Sequence, residues 1–599
     1  MFSGLEKQRI GIDFGTTNSL ISLVSRDAKI KSFDTFGRPH PSVVTYEGDR
    51  IICGKSARDK LSTRVIGVLG NTVRGPKKLI GSEVINVDGR LISPIEVISD
   101  YMSYLIEHTR KYDTENIADL TRAVVTIPVA LDGRGRKAFR NALLNIGVHV
   151  DLFVHEPLAA LYGYFRGNEN FEEMLRSYEG KLLLVFDWGG GTLDLTLCKI
   201  MDGALVQVLN RGNNLVGGDY LDEAILKHVL DKHAEKHGWT VDSLPSENPG
   251  MRARLLLECE RAKIELSDKN ETSIFLPEYY PGEDENSEID EWLDKETLQK
   301  ICSNTIEKGI NEIHSLLSQD NANIDSQTIA LCLATGGMVN MPFIKASLTE
   351  IFGISALNIA ERGDRIISEG AAWIAYDNPV ISLAKPFELV EARNSLLTII
   401  QQGTALPERG HSIQAKQSMY CSDPRDGKAI FSFKRPQMVD KNAAADPRTS
   451  YGNLSVEVNP EFPPLEERIE LNVTIDDNLI AHVDIAAADQ QITSSLEIYD
   501  LEFALDTKTS KHQNLKKNSR SRIKVSPPRG NPNQLIARAN ISASNQSWDL
   551  VPGELMKEHN DKNKYLRVPM TEIQNTEHAR YLPCSNCGAR WTKNCCTTA

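Results

Sequence analysis

The sequence predicts an α/β domain followed by a small all-β domain. Residues 1–378 alternate strand-like apolar runs with helix-like segments, which is the pattern of an α/β fold. Residues 395–505 contain short alternating segments punctuated by proline, asparagine and aspartate, which is typical of an all-β domain. Two glycine-bearing hairpins lie far apart within the α/β region, and they suggest that this part of the fold is duplicated.

One of the two hairpins, near residue 190, carries three consecutive glycines. The apolar run 182–186 predicts a buried strand, and residues 195–200 predict a second strand after a turn. Between them stand Asp187, the glycines Gly189, Gly190 and Gly191, Thr192 and Asp194. Consecutive glycines let the backbone approach an anion closely, and flanking carboxylates suit a hydrated Mg²⁺ beside phosphate. An ordinary glycine hairpin with solvated aspartates is the alternative reading of this turn.

The other hairpin stands near the start of the chain and repeats the same order. Residues 10–14 and 20–24 read as strands, and Asp13, Gly15, Thr16, Thr17 and Asn18 surround the turn between them. Neither hairpin is a Walker loop, because no helix follows directly and the G-x-x-x-x-G-K-[ST] pattern is missing. Two such turns predict a duplicated fold that grips one phosphate chain from both sides.

Composition limits the class of protein. The chain has 599 residues, 41% of them hydrophobic and 25% charged, which is typical of a multidomain globular protein. Its net charge of −13 argues against general nucleic-acid binding. No apolar run is long enough to span a bilayer, and six scattered cysteines do not suggest a disulfide framework. These features predict a cytoplasmic protein with no membrane partner.

Taken in order, the motifs resemble the 70-kDa heat-shock (DnaK-type) chaperone family of the actin-like ATPase superfamily. The resemblance covers residues 8–378 well and 395–505 loosely. It implies a duplicated, ribonuclease-H-like nucleotide-binding domain and a peptide-binding-like β-sandwich. The family's long helical lid should follow the β domain, but this sequence has no sustained helical period there and predicts no full lid. The implied layout is a nucleotide-binding domain in 1–378, an interdomain linker in 379–394, the β-sandwich in 395–505, a basic linker in 506–530 and a poorly structured tail in 531–599.

The resemblance also implies roles for individual residues. Asp13 and Asp187 would hold Mg²⁺ mainly through water. The implied catalytic residues are Lys77, which contacts the γ-phosphate, Glu156, which orients the attacking water, and Asp194 and Thr192 beside it. The implied nucleotide-binding residues are Gly15, Thr16, Thr17, Asn18, Gly189, Gly190, Gly191, Gly217 and Gly218 around the phosphates and ribose, and Glu260, Lys263, Ser267, Gly336, Gly337, Asn340 and Asp364 around adenosine.

This sequence departs from the family pattern in several places. Asn340 stands where the family usually has an arginine stacked on adenine, which removes a stacking interaction of about 0.5–2 kcal/mol. Trp188 is bulkier than the usual residue beside the second glycine turn. Residues 380–388 lack the family's compact leucine-rich linker, so the resemblance supports the ATPase better than it supports coupling between the domains.

The end of the chain carries a cysteine cluster. Cys584, Cys587, Cys595 and Cys596 could bind a structural zinc ion, with His578 as a replacement for one of them. A disordered, oxidation-prone tail is the alternative.

The sequence therefore predicts an ATP-hydrolysing chaperone that binds unfolded or extended polypeptides. ATP and ADP, a J-domain-type co-chaperone and a nucleotide exchange factor are the partners that the resemblance implies. Two alternatives remain open at this point: a small-molecule kinase of the same superfamily, and an ATP-binding adaptor without refolding activity.

Overall fold

The computed structural model describes residues 7–62, 71–87, 89–240, 250–280, 288–319, 322–390, 395–421, 423–439, 447–487, 493–507 and 550–552. The chain divides into two compact units. The first comprises Met1–Pro379 with Asp506–Ser510, and the second comprises Val380–Leu505 with Lys511–Ala599.

The first unit contains the predicted α/β region. Its strands are β1 (Gln8–Phe14), β2 (Asn18–Val24), β3 (Ile30–Ser32), β4 (His40–Pro41), β5 (Val43–Glu47), β6 (Arg50–Cys53), β7 (Thr72–Arg74), β8 (Ile85–Val87), β9 (Arg90–Ile92), β10 (Ala118–Ile127), β11 (His149–His155), β12 (Leu182–Trp188), β13 (Leu193–Met201), β14 (Ala204–Asn213), β15 (Glu271–Leu276), β16 (Ile289–Asp294), β17 (Ile329–Thr335) and β18 (Leu357–Ile359). Its helices are α1 (Lys55–Ser62), α2 (Pro94–Tyr112), α3 (Gly133–Asn145), α4 (Glu156–Arg166), α5 (Phe171–Ser177), α6 (Gly218–Lys236), α7 (Met251–Glu265), α8 (Lys295–Leu317), α9 (Pro342–Phe352) and α10 (Ile366–Asp377).

Two sheets of this unit repeat one topology. The first has the order β11-β10-β1-β2-β3, and within this unit the second has the order β18-β17-β12-β13-β14. In each, an antiparallel hairpin (β1–β2 or β12–β13) places its first strand parallel to a later strand (β10 or β17). That later strand is parallel in turn to the edge strand (β11 or β18). The strand order therefore agrees with the duplication that the two hairpins predicted.

The central strands are buried along most of their length, as their apolar sequences predict. β1 and β12 are buried along most of their length, and helices α4 and α10 pack against each other. A Cβ atom at Gly370 would lie 1.9 Å from the Ala159 carbonyl oxygen, and one at Gly11 would lie 2.2 Å from the Ala372 nitrogen. Glycine at these two positions allows the helices and β1 to approach closely.

One segment of the first unit differs from the sequence-based expectation. Residues 278–296 read as an acid-rich loop, but β16 occupies Ile289–Asp294 and pairs with β15. Ile289, Glu291 and Leu293 are buried on one face of β16 while the residues between them are exposed. The acidic composition concealed this alternation, because Glu291 stands at a buried position where an apolar residue is expected. Its carboxylate is paired there with Lys232 at 3.0 Å.

In the described part of the second unit, the regular elements are all strands. These are β19 (Ile381–Leu383), β20 (Phe387–Val390), β21 (Leu396–Ile400), β22 (Ser412–Cys421), β23 (Lys428–Pro436), β24 (Arg448–Glu457), β25 (Arg468–Asp476), β26 (Ala481–Ala487), β27 (Thr493–Ile498), β28 (Phe503–Asp506) and β29 (Leu550–Pro552). They form sheets of order β21-β20-β23-β24 and β27-β26-β25-β22-β29, and β19 pairs with β28. Alternate residues of β23, β25 and β26 are buried, which is the pattern that predicted this domain.

The predicted linker 379–394 is not a simple connection in the described part of the chain. Ile381–Leu383 and Phe387–Val390 are strands of the second unit, and Phe387 and Leu389 are fully buried. The β domain thus begins before residue 395, because two short apolar runs each contribute a strand. The predicted zinc-binding cysteines, the basic linker beyond 507 and most of the tail lie outside the described residues. In the described part of the chain, no helix is both long and apolar enough to cross a bilayer.

Candidate nucleotide site

The turns of the two hairpins touch each other. A Cβ atom at Gly190 would lie 2.0 Å from the Thr17 hydroxyl oxygen, and one at Gly191 would lie 2.7 Å from the Thr16 methyl carbon. A side chain at either glycine would therefore separate the turns. The turn of the first hairpin is held in addition by Ser42, whose hydroxyl donates to the Gly15 carbonyl at 2.8 Å. The two glycine turns thus form one site.

Each hairpin carries a buried aspartate supported by a threonine from the neighbouring parallel strand. Thr126 on β10 donates its hydroxyl to Asp13 at 3.0 Å, and Thr335 on β17 donates to Asp187 at 2.8 Å. The two pairs occupy equivalent places in the duplicated topology. Asp194 lies directly opposite Asp187 in the β12–β13 ladder, so both side chains lie on one face of the sheet.

One lysine faces these carboxylates. Lys77 lies in the 3-10 turn Pro76–Leu79, and Glu156 is the first residue of α4. Their side chains are 9% and 6% exposed, and the Lys77 Nζ lies 2.5 Å from the Glu156 Oε1. Thr192 donates its hydroxyl to Asp194 at 3.0 Å. All four residues predicted to be catalytic are therefore at or beside the meeting point of the hairpins.

The site holds more negative than positive charge. Burial, followed by the nearby Glu156 carboxylate, raises the pKa of each of Asp13, Asp187 and Asp194 to about 7. Burial alone would lower the pKa of Lys77, but the attraction of Glu156, Asp13 and Asp194 outweighs it and raises that pKa. A group of buried carboxylates with one ammonium favours a further cation.

The start of α6 docks on the second glycine turn. Gly218 donates its amide N–H to the Gly189 carbonyl at 3.1 Å, and Asp219 donates to the Gly190 carbonyl at 2.8 Å. A Cβ atom at Gly217 would lie 2.3 Å from the Gly190 oxygen. Gly217 and Gly218 therefore lie directly beside the second glycine turn.

Helix α7 supplies two buried charges next to this loop. The Lys263 Nζ lies 2.7 Å from Asp222 Oδ1 and donates to the Gly218 carbonyl at 3.0 Å. Glu260 forms ion pairs with Arg58 at 2.9 Å and Arg74 at 3.4 Å. Both predicted α7 residues are thus engaged with charged partners.

A cavity of about 390 Å³ lies between the first hairpin and helices α6 and α7. Its walls include Thr16, Thr17, Lys78, Asp219 and Glu260. This volume is in the range of small-molecule and cofactor pockets. The cavity therefore provides room for a ligand beside the glycine turns.

Comparison with known proteins identifies the family. The model of the family "Hsp70 protein" matches residues 9–90 and 82–524. The chain belongs to the Hsp70 family. It is 29% identical over 492 residues to the chaperone protein DnaK of Mycoplasmoides gallisepticum, covering 79% of this chain and 77% of that relative. It is 27% identical over 502 residues to DnaK of Ureaplasma parvum serovar 3 (82% and 78%) and 27% identical over 489 residues to DnaK of Thermosipho melanesiensis (79% and 77%).

Hsp70 proteins are ATPases that bind Mg-ATP, and the residues of this chain fit that ligand. The Thr17 hydroxyl is buried at the meeting point of the turns and has no hydrogen-bond partner among the described residues. The amide groups of Gly190, Gly191 and Gly217 likewise have no acceptor in the described part of the chain. Unpaired donors of this kind suit phosphate oxygens, and the excess of carboxylates suits a divalent cation.

Three residues of the predicted adenosine site do not lie in the buried cluster of carboxylates at the glycine turns. Asn340 is exposed and donates its side-chain N–H to the Gly337 carbonyl at 3.3 Å, which closes its own turn. Asp364 is exposed as well. Helix α7 ends at Glu265, so Ser267 follows the helix in a turn and does not share its face with Glu260 and Lys263. Gly336 does reach the cluster: its Cβ would lie 2.9 Å from Asp187 Oδ1.

Sequence reasoning missed the residues that support the predicted ones. Thr126 and Thr335 orient the two aspartates, Asp222 pairs with Lys263, and Arg58 and Arg74 pair with Glu260. The two threonines had a signal, because each lies among the last two residues of a strand in the repeated topology, after a buried run. The arginines had none, since they lie on short elements far from Glu260 in the sequence.

Proposed function

We propose that this Hsp70-family chain is an ATP-dependent chaperone that hydrolyses Mg-ATP in the first unit and binds extended polypeptide on the second. The observation that carries the proposal is the buried Lys77–Glu156 pair at the point where both glycine hairpins meet. Phosphoryl transfer depends on positioning and on charge stabilisation, and this cluster can supply both.

In this proposal each side chain has one task. The Thr17 hydroxyl and the glycine amides bind phosphate oxygens, and Lys77 stabilises negative charge that develops on the transferred phosphoryl group. Glu156 accepts a hydrogen bond from Lys77 and from the attacking water, which fixes the direction of attack. Asp194 and Thr192 complete the polar wall around that water.

Asp13 and Asp187 would hold Mg²⁺, which neutralises charge between phosphate groups when it is bound. Within the described residues, no group of three or more His, Cys, Asp or Glu side chains is arranged to ligate a metal directly. Mg²⁺ retains water readily, so we propose that the two aspartates hold it through its water shell. Thr126 and Thr335 keep both carboxylates in position for this.

The second unit supports the binding of extended chains. Its sheets end in edge strands, and the outer edge of β22 already pairs with Leu550–Pro552 as an antiparallel strand. Edge strands offer main-chain hydrogen bonds to an added peptide. A J-domain-type co-chaperone and a nucleotide exchange factor are the further partners that we propose from family membership.

Single-turnover hydrolysis of ATP, measured with and without a chemically unfolded polypeptide, tests this function. Hydrolysis that the polypeptide accelerates supports a coupled chaperone. Hydrolysis that the polypeptide leaves unchanged would reject coupling, and binding without hydrolysis would indicate an adaptor. Transfer of phosphate to a small acceptor would indicate a kinase.

A further inference from the structure

The indole of Trp188 lies on the opposite face of β12 from the site. Along this strand, side chains alternate between the two faces, so Asp187 points to the carboxylate cluster and Trp188 points away from it. Trp188 is fully buried and packs edge-on against Phe186, with 5.7 Å between ring centroids. A nucleotide in the site would therefore not contact this ring directly.

The ring is connected to the site in another way. Its Nε1–H donates to the Val216 carbonyl oxygen at 2.6 Å. Val216 is 1% exposed and directly precedes Gly217, so water cannot replace this bond unless the loop opens. The bond joins the last residue of β12 to the loop that begins α6.

Two further bonds fix the same loop from its other side, from Gly218 to Gly189 and from Asp219 to Gly190. Lys263 also donates to the Gly218 carbonyl at 3.0 Å. The Trp188 indole adds an attachment of the segment Val216–Asp219 at the residue that directly precedes Gly217. Gly217 lies tightly against the Gly190 carbonyl. A shift of Val216 would therefore move the Gly217 amide relative to the two glycine turns.

Helix α8 is shaped to admit the ring. A Cβ atom at Gly309 would lie 2.3 Å from the outer ring carbon Cη2 of Trp188. Glycine inside a helix costs about 1 kcal/mol relative to alanine, so its presence here is explained by the space that the indole requires. The indole is therefore held between α8 on one side and the Val216 carbonyl on the other.

We infer that Trp188 is a positioning residue for nucleotide binding: through its hydrogen bond to Val216 it sets where the Gly217 amide meets the phosphates. This inference rests on the proposed function. Trp188 touches no reacting atom, and its effect should be confined to ligands that carry phosphate. Adenosine, which lacks phosphates, should not depend on it.

Trp188→Phe in the full chain tests the inference, because it keeps an aromatic ring and removes only the donor and the second ring. Leaving a buried carbonyl unpaired should weaken ADP binding in Mg²⁺ about tenfold, and adenosine binding should stay within about twofold of the parent chain. Gly309→Ala provides a second variant that retains the indole but displaces it, and ADP binding should weaken in it too.

Trp373→Phe is the matched control. Trp373 lies on α10, is 6% exposed and stacks on the Arg166 guanidinium at 4.3 Å, away from Val216. The Trp373→Phe substitution should lower the melting temperature without changing the ratio of the ADP affinity to the adenosine affinity. An unchanged ratio in Trp188→Phe and Gly309→Ala would overturn the inference, as would a parallel loss for both ligands. A parent chain that binds no ADP would instead reject the proposed function.

Discussion

Replacing Lys77 should separate its electrostatic role from its structural one. In Lys77→Ala, Glu156 loses a buried partner at 2.5 Å, and Asp13, Asp187 and Asp194 lose the positive charge that lowers their pKa values. Breaking a buried ion pair on one side costs about 3–5 kcal/mol of unfolding free energy. Loss of one electrostatic stabiliser should lower the single-turnover rate of ATP hydrolysis by about 10² or more.

The loss of stability should depend on pH in a defined direction. The three aspartates have raised pKa values near 7 in the folded chain, against 3.8 for the ordinary group. Their contribution to stability is complete below about pH 3.8 and is lost as pH rises from there through 7, because the unfolded chain releases these protons while the folded state still holds them. Lys77 limits this loss by lowering those pKa values, so Lys77→Ala should be destabilised more at pH 8 than at pH 6.

Three variants make the test decisive, with denaturant unfolding and single-turnover hydrolysis as the measurements. Lys77→Ala with Glu156→Gln should recover part of the lost stability but none of the lost rate. Lys78→Ala is the control for stability, because Lys78 is half exposed and pairs with Asp219 at the surface, where an ion pair contributes about 0–1 kcal/mol. Near-normal hydrolysis by Lys77→Ala, or a stability loss no larger than that of Lys78→Ala, would refute the reasoning.

Three other outcomes are expected. Asn340→Arg should raise ATP affinity about 2- to 30-fold by restoring a stacked cation, and equilibrium titration would contradict this if the affinity were unchanged. His155 is fully buried, and burial lowers its pKa from 6.5 to about 3. The contribution of the neutral imidazole to the free energy of unfolding is therefore lost as pH falls below 6.5, because the unfolded chain then binds a proton that the folded chain does not. Between pH 7 and pH 5 the parent chain should therefore lose about 2 kcal/mol more stability than His155→Asn in denaturant unfolding, and equal losses would argue against this assignment. A fluorescent peptide bound to the second unit should dissociate quickly in the presence of either ATP or ADP, because the sequence predicts no full lid. Fluorescence anisotropy measures this release. Slow release in ADP that ATP accelerates many-fold would contradict the prediction.

Much of the first unit was predictable because its signals are local. Three consecutive glycines between apolar runs specify a tight turn between strands. The order of strand, turn with aspartate, glycine and threonine, and strand recurs near Gly15, and this repetition predicted the duplicated topology. Glu156 and Lys77 could be named only through the resemblance to the heat-shock family, because one carboxylate or one lysine carries little signal. Strand boundaries in 380–390 and 289–294 were missed, since short runs interrupted by charge resemble loops.

The sequence by itself determined the order of the domains, the two glycine turns and the residue types that surround them. Only the tertiary structure decided that Lys77 meets Glu156, 79 positions away, and that threonines of β10 and β17 orient the two aspartates. It also decided that Trp188 supports the Gly217 loop from behind the sheet. The physical reason is that periodicity and turn chemistry act over a few residues, whereas these contacts form only when folding brings distant segments of the chain together.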